Sequence, residues 1–104
     1  MKYDVALSDL ALTQYDNILD YIYNTLKNPQ AVKSVMQDFD RTVELLKTQA
    51  NSYAYCKSER LRNLGLHKLH LLKHKYILVY RIKNDAVVIE GIYHELQDYE
   101  NSIG

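Results

Sequence analysis

Four polar side chains in the second half of the chain are of the types that cleave phosphodiester bonds without a metal ion. They are His70, Arg81, Glu90 and His94. Histidine titrates near neutral pH and glutamate accepts protons, so the two types together supply a general acid and a general base. Arginine stabilises the negative charge that develops on a phosphate. This chemistry requires a fold that holds the four side chains on one surface.

The same residues have a simpler interpretation. The solvent side of an antiparallel sheet ordinarily carries polar residues, and opposite charges on neighbouring strands pair there. From the residue types alone, this second interpretation is the favoured one.

Other kinds of site find little support in the sequence. His67, His70 and His74 do not follow the spacing of a structural zinc site, and Cys56 is the single cysteine. Cys56 has no activating neighbour in the sequence, which is typical of an inert thiol. The chain also contains no glycine-rich phosphate loop and no serine nucleophile elbow. We therefore expect no metal and no cofactor.

The net charge of zero conceals a strong asymmetry along the chain. Residues 1–56 carry five Lys and Arg against seven Asp and Glu, residues 57–83 carry eight against one, and residues 84–104 carry none against five. Clustered like charges create a local field even when the total is zero. Overall neutrality weighs against general nucleic-acid binding, because that affinity comes largely from counterion release by clustered basic groups.

Length and composition predict one cytoplasmic domain spanning residues 1–104. A chain of 104 residues fits a single domain, and 47% apolar residues with three Gly and one Pro are far from the composition of disorder. The first residues do not form a basic stretch followed by an apolar run, as an export signal would. No segment reaches the roughly 20 apolar residues that cross a bilayer. We expect a soluble protein that does not associate with membranes.

Local signals predict the elements that must position these side chains. Alternation over residues 3–7 indicates a short strand, and Ser8 followed by Asp9 is typical of a helix start. Asn28 and Pro29 end this helix and begin a second one. The second helix carries an apolar stripe at helical spacing, made of Val32, Met36, Phe39, Val43, Leu46 and Ala50. The short connection favours an antiparallel helical hairpin packed on a sheet.

The second half of the chain predicts a loop over residues 51–63 and then three strands. The strands cover residues 66–72, 76–83 and 86–94, and a tail from Leu96 to Ile103 forms a short helix or stays loose. Asn84 and Asp85 suit a two-residue hairpin turn, which pairs Arg81 with Val88 and Val79 with Glu90.

That pairing assigns side chains to the two faces of the sheet. The face against the helices receives Tyr76, Leu78, Tyr80, Ile82, Val87, Ile89, Gly91 and Tyr93, and a turn assumed at residues 74–75 adds Leu69 and Leu71. The opposite face receives Lys68, His70, Arg81, Glu90 and His94 among Leu72, Ile77, Val79 and Ile92. Convergent polar groups on an apolar floor are typical of a binding surface.

The order and spacing of these segments resemble the RelE/ParE superfamily of bacterial toxins. The specific part is residues 64–99, which contain Tyr80-Arg81-Ile82, the Asn84-Asp85 turn, an apolar strand, His94 and Gln97-Asp98. The resemblance covers essentially the whole chain. It implies an α+β fold with a short N-terminal strand, a two-helix hairpin and a three-stranded antiparallel meander.

The resemblance also implies a function in a type II toxin-antitoxin system. RelE-like members cut mRNA on the ribosome, whereas ParE-like members poison DNA gyrase, and both are neutralised by an antitoxin. Neutral charge, Ile77 where RelE-like nucleases often have Arg, and the His94-x-x-Gln97-Asp98 ending favour the ParE-like side. The alternatives are a metal-independent endoribonuclease that uses His70, Arg81, Glu90 and His94, and an inactive antitoxin-binding module.

The antitoxin is the expected partner in all three cases, with DNA gyrase or the ribosome and its mRNA as the target. We expect an acidic, amphipathic segment of the antitoxin to bind the basic segment, residues 57–83, and the open face of the sheet. It would do so by adding a strand or by lying in a groove. The predicted binding residues are Arg60, Arg62, Lys68, Lys73 and Lys75.

Overall fold

A computed structural model describes residues 2–103 and has the predicted α+β order of strand, helical hairpin and meander. The described helices are α1 (Asp9–Asp20), α2 (Pro29–Gln49), α3 (Glu59–Asn63) and α4 (Tyr99–Ser102). The described strands are β1 (Asp4–Leu7), β2 (His67–His70), β3 (Tyr76–Lys83) and β4 (Ala86–His94).

Side-chain caps begin the two long helices where the sequence predicts them. The Ser8 hydroxyl accepts a hydrogen bond from the N–H of Ala11, and the Asn28 side chain accepts one from the N–H of Ala31. Each bond satisfies one of the N–H groups that a helix start leaves without a partner. Between the helices, Tyr21–Thr25 form a wider π-helical turn. Among the described residues, no helix is long and apolar enough to cross a membrane.

The four described strands form one sheet in the order β1-β4-β3-β2. β1 runs parallel to β4, and the other neighbours are antiparallel. α1 and α2 cover one face, which we call the helix face. The main core lies between these two helices and the sheet. It includes Ala11, Phe39, Leu46, Leu78, Tyr80, Val87, Ile89 and Ile92. We call the opposite side of the sheet the outer face.

A β-bulge at Glu90 corrects the predicted pairing of β3 with β4. Near the turn the pairing is the predicted one, with Arg81 opposite Val88. Tyr80 then pairs with Ile89 and Val79 with Gly91, so Glu90 is the extra residue of β4. Because an extra residue reverses the alternation beyond it, Ile92 lies in the main core and Tyr93 lies on the outer face.

The pairing of β2 with β3 differs from the predicted one by two residues. His70 pairs with Ile77, and the connection spans residues 71–75 rather than a tight turn at residues 74–75. A shift of two keeps every side chain on its face, since alternation has a period of two. Leu69 and Leu71 therefore pack against the main core as predicted.

The outer face is partly covered, which corrects the prediction of an open surface. Residues 51–63 are not simply a loop, because they include α3. α3, its flanking residues and α4 bury a second apolar cluster against the outer face. The cluster contains Cys56, Leu61, Leu66, Ile77, Val79, Tyr93 and Tyr99. Ile77 and Val79, expected on an accessible floor, are 3% and 0% exposed.

Asp38 of α2 holds the connection between β2 and β3. Its carboxylate accepts hydrogen bonds from the N–H groups of Leu72, Lys73 and His74 at 3.0, 2.9 and 2.8 Å. Asp38 is only 1% exposed. Three backbone donors compensate the burial of this carboxylate, which would otherwise be strongly unfavourable.

Candidate functional site

Arg81 and Glu90 meet on the outer face. The guanidinium Nη2 lies 2.5 Å from Glu90 Oε2, and the two side chains are 35% and 28% exposed. The bulge positions Glu90 for this contact, and the Ser8 hydroxyl donates to the Glu90 carbonyl at 3.1 Å. Nε of Arg81 is buried and has no hydrogen-bond partner among the described residues. Because the two groups are in contact, the positive charge of Arg81 and the negative charge of Glu90 largely compensate each other.

His70 lies on the same face but at a distance from this pair. It is opposite Ile77, and Arg81 is four residues further along β3, which is about 13 Å at ~3.3 Å per residue. Its Nδ1 lies 3.9 Å from Glu95 Oε2, and its side chain is 56% exposed. Val79 and its cluster lie in between.

His94 lies on the helix face, contrary to prediction, because the bulge precedes it. It pairs with Tyr76, and their rings meet edge to face at a centroid distance of 5.5 Å. Its Nδ1 accepts a hydrogen bond from the N–H of Leu96 at 3.1 Å. The four residues expected to form an acid, a base and a cation are therefore divided between the two faces.

The predicted binding residues keep their positive charge free of carboxylate partners. None of Arg60, Arg62, Lys68, Lys73 and Lys75 takes part in an ion pair within the described chain. The Arg60 guanidinium donates to the Glu100 carbonyl and that of Arg62 to the Lys57 carbonyl, both at 3.0 Å. Hydrogen bonds to carbonyl oxygens orient the two guanidinium groups without neutralising them.

A groove of about 520 Å³ lies on the helix face, between the second half of α1, the π-helical turn that follows it, the start of β3 and the end of β4. Its lining is made of Gln14, Asn17, Ile18, Tyr21, Ile22, Leu26, Tyr76, Ile92, His94 and Gln97. The lining combines aliphatic and aromatic side chains with amides and one imidazole, and none of these residues is an acid, a lysine or an arginine. Continuous pairing of β3 with β4 does not predict this groove, because the bulge is what turns Ile92 and His94 toward α1.

Cys56 and several tyrosines are held in their neutral forms. Cys56 is buried in the second cluster, and burial raises the pKa of its thiol. Burial also raises the pKa of Tyr80, whose hydroxyl donates to the Ala50 carbonyl at 2.7 Å. A thiol of raised pKa is a poor nucleophile at neutral pH. Among the described residues, no three His, Cys, Asp or Glu side chains cluster as metal ligands would.

Comparison with known proteins identifies the family of this chain. Residues 5–99 match the sequence profile described as the ParE toxin of type II toxin-antitoxin system, parDE. A solved structure titled the chromosomal ParDE TA system from P. aeruginosa superposes with a TM-score of 0.73 and 24% identity, over 89% of this chain and 96% of that one. A search of curated proteins found no match. The chain belongs to the ParE toxin family of type II toxin-antitoxin systems.

Proposed function

We propose that this protein arrests bacterial growth by binding DNA gyrase and that a cognate antitoxin neutralises it. Membership in the ParE family, rather than in the RelE-like branch of the superfamily, supports this choice of target. The action is one of binding and requires no bond-breaking site.

The separation of the four candidate catalytic residues is the observation that carries the proposal. Acid-base cleavage needs its groups within hydrogen-bond reach of one reacting centre. His94 is on the helix face, His70 is about 13 Å along the sheet from Arg81 at ~3.3 Å per residue, and Glu90 is paired with Arg81. This dispersed arrangement supports binding rather than phosphodiester cleavage.

Induction of the protein alone in a bacterial host tests the target. We expect pulse labelling to show an early fall in DNA synthesis, with RNA and protein synthesis following later. The purified protein should also inhibit supercoiling by gyrase. An early arrest of translation with cleaved mRNA would instead support the endoribonuclease alternative, and normal growth would support the inactive module.

Two histidine variants sharpen this test. His70→Ala and His94→Ala should each retain toxicity, because a binding mechanism does not use the histidines as acid or base. A loss of toxicity of 100-fold or more in either variant, with unchanged thermal stability, would contradict gyrase binding, since that is about the contribution of one general acid or base.

The uncompensated basic residues support the second half of the proposal. An acidic segment of the antitoxin would pair with Arg60, Arg62 and Lys68 at no loss to existing ion pairs. The test is the affinity of the antitoxin for a variant with these three residues changed to Gln. Binding should weaken and should lose much of its dependence on salt concentration.

A further inference from the structure

The two edges of the sheet are protected differently. Residues 54–56 lie along part of the outer side of β2, where the N–H of Lys68 donates to the Ala54 carbonyl at 3.0 Å. β1 is the opposite edge, and β4 is its one neighbour among the described strands. An uncovered edge presents unpaired N–H and C=O groups, with which a strand of another chain can pair.

Val5 and Leu7 of β1 direct their backbone groups away from the sheet. The N–H of Asp4 donates to the Asp85 carbonyl at 2.9 Å, so Asp4 and Ala6, two positions further on, direct their backbone groups toward β4. Successive residues of a strand alternate in this respect. The N–H and C=O groups of Val5 and Leu7 therefore lie on the free edge.

Helices limit this free edge at both ends. The N–H of Tyr3 donates to the Lys47 carbonyl in the last turn of α2 at 2.7 Å, and Ser8 caps α1. The free edge is therefore only three residues long, from Val5 to Leu7, and all three residues are uncharged. β1 contains neither lysine nor proline, which commonly protect edge strands from pairing.

A groove of about 430 Å³, which we call the β1 groove, lies between β1 and α2. Its lining contains the apolar side chains of Val5, Leu7, Phe39 and Val43, together with Asp40, Arg41, Glu44 and Lys47. The two acids and two bases balance in charge, so the groove favours neither a basic nor an acidic segment. Its complement is a short, apolar strand without net charge, and β1 itself is a strand of similar kind.

We propose that β1 pairs with β1 of a second copy of this chain, in an antiparallel register centred on Ala6. Val5 of each copy then lies opposite Leu7 of the other, and the two residues of each pair exchange N–H···O hydrogen bonds. Asp4 lies opposite Ser8, so no like charges meet in this register. The contact is isologous and closes at two copies. The paired segment is short, so we expect a smaller interface than the roughly 1,200–2,000 Å² of stable complexes and a dissociation constant of about 10–100 μM.

Sedimentation equilibrium of the full-length toxin, at concentrations on both sides of this range, tests for the dimer. The average mass should rise with concentration from 12.2 kDa toward twice that value. Leu7→Pro removes one outward N–H and leaves the hydrogen bonds to β4 in place, so it should weaken association at least tenfold. Val5→Lys should do the same by adding a charge to the edge. Leu72→Lys is the matched control, since Leu72 is 59% exposed in the connection between β2 and β3, and it should stay within twofold.

Amide hydrogen exchange of the wild-type protein tests the register without any substitution. The N–H groups of Val5 and Leu7 should exchange slowly where the dimer predominates and rapidly on dilution. The N–H of Ala6 faces β4 and should be protected at both concentrations, which makes it the internal control.

Three results would overturn the proposal. They are a mass of one chain at every concentration, a dimer in which Val5 and Leu7 exchange rapidly, and a dimer that persists unchanged in folded Leu7→Pro and Val5→Lys variants. Protection of Val5 and Leu7 that requires added antitoxin would also overturn it, because the edge would then belong to the antitoxin. Growth arrest and gyrase inhibition are separate readouts, so failure of the dimer leaves the proposed function unaffected.

Discussion

The hydrogen bonds of the Asp38 carboxylate predict how much stability the protein loses without it. It is the common acceptor for three consecutive backbone N–H groups in the connection that also carries Lys73, one of the predicted binding residues. Asp38→Ala removes all three hydrogen bonds at once. We expect the connection to lose its fixed conformation and the protein to lose stability.

The strength of these hydrogen bonds sets an upper limit on the loss of stability. A hydrogen bond to a charged group contributes about 1.5–3 kcal/mol, so three of them set an upper limit of roughly 5–9 kcal/mol. Leu72 and Lys73 are exposed, so water can reach the released N–H groups and restore part of this free energy. We therefore expect a loss of about 3–4 kcal/mol in the free energy of unfolding. At a urea m-value of about 2 kcal/mol/M, the midpoint falls by roughly 1.5–2 M.

Urea unfolding followed by far-UV circular dichroism measures this loss. Asp38→Asn should be intermediate, because its one oxygen can face the two donors, Lys73 and His74, that share Oδ2. Asp40→Ala is the control, since Asp40 is two residues further along the same helix and exposed, and it should change stability by no more than about 0.5 kcal/mol. A loss below about 1 kcal/mol for Asp38→Ala would refute the assigned role of the carboxylate.

Three further predictions concern the sheet and α1. Gly91→Ala would bring its Cβ within 2.5 Å of the Tyr93 ring, so thermal melting should show a loss of about 1–3 kcal/mol, and an unchanged melting temperature would contradict this packing. Burial raises the pKa of Tyr15 from 10.0 to about 12, so its contribution to stability is full below pH 10 and falls as the pH rises toward 12. Stability measured from pH 9 to 12 should therefore fall less for Tyr15→Phe, and equal slopes would refute the assignment. Arg81 and Glu90 are partly exposed, and a double-mutant cycle at low salt should give a coupling of up to about 1 kcal/mol that weakens with added salt.

Local signals account for the parts of the fold that the sequence predicts correctly. Ser8 and Asn28 cap the helices within three residues of their own position. Turn residues at positions 84 and 85, with Asn84 at a φ of 54°, fix the ends of β3 and β4 at the predicted positions. Each signal acts over a few residues, so it can be identified without knowledge of the fold.

The connection between β2 and β3 depends on a contact that is distant in sequence. Asp38 precedes the residues it holds by 34 to 36 positions. The predicted apolar stripe of α2 does not include Asp38, and it includes Met36, which is 44% exposed. From sequence alone, a carboxylate on a helix is expected to face solvent, because the backbone donors that would allow its burial cannot be identified. The pairing of β2 therefore could not be assigned to the residue.

The sequence does not predict the coverage of the outer face, for a different reason. α3 has five residues, which is too short for helical periodicity to be recognised. Its single fully buried apolar residue, Leu61, belongs to the same cluster as Cys56 and Tyr99 on the outer face. The predicted loop contains two residues of this cluster, Cys56 and Leu61, but their partners come mostly from β3, β4 and α4. Only the assembled sheet shows that they are core residues.

The bulge at Glu90 explains both the dispersed candidate catalytic residues and the groove. With continuous pairing, His94 would lie on the same face as Arg81, and Ile92 would face away from α1. The extra residue reverses both, so His94 and Ile92 instead line the groove opposite Gln14. Gly91, directly after the extra residue, is the signal that the sequence offers, since glycine within a strand often marks a bulge. One inserted residue thus places His94 and Ile92 on the helix face, away from Arg81 and Glu90.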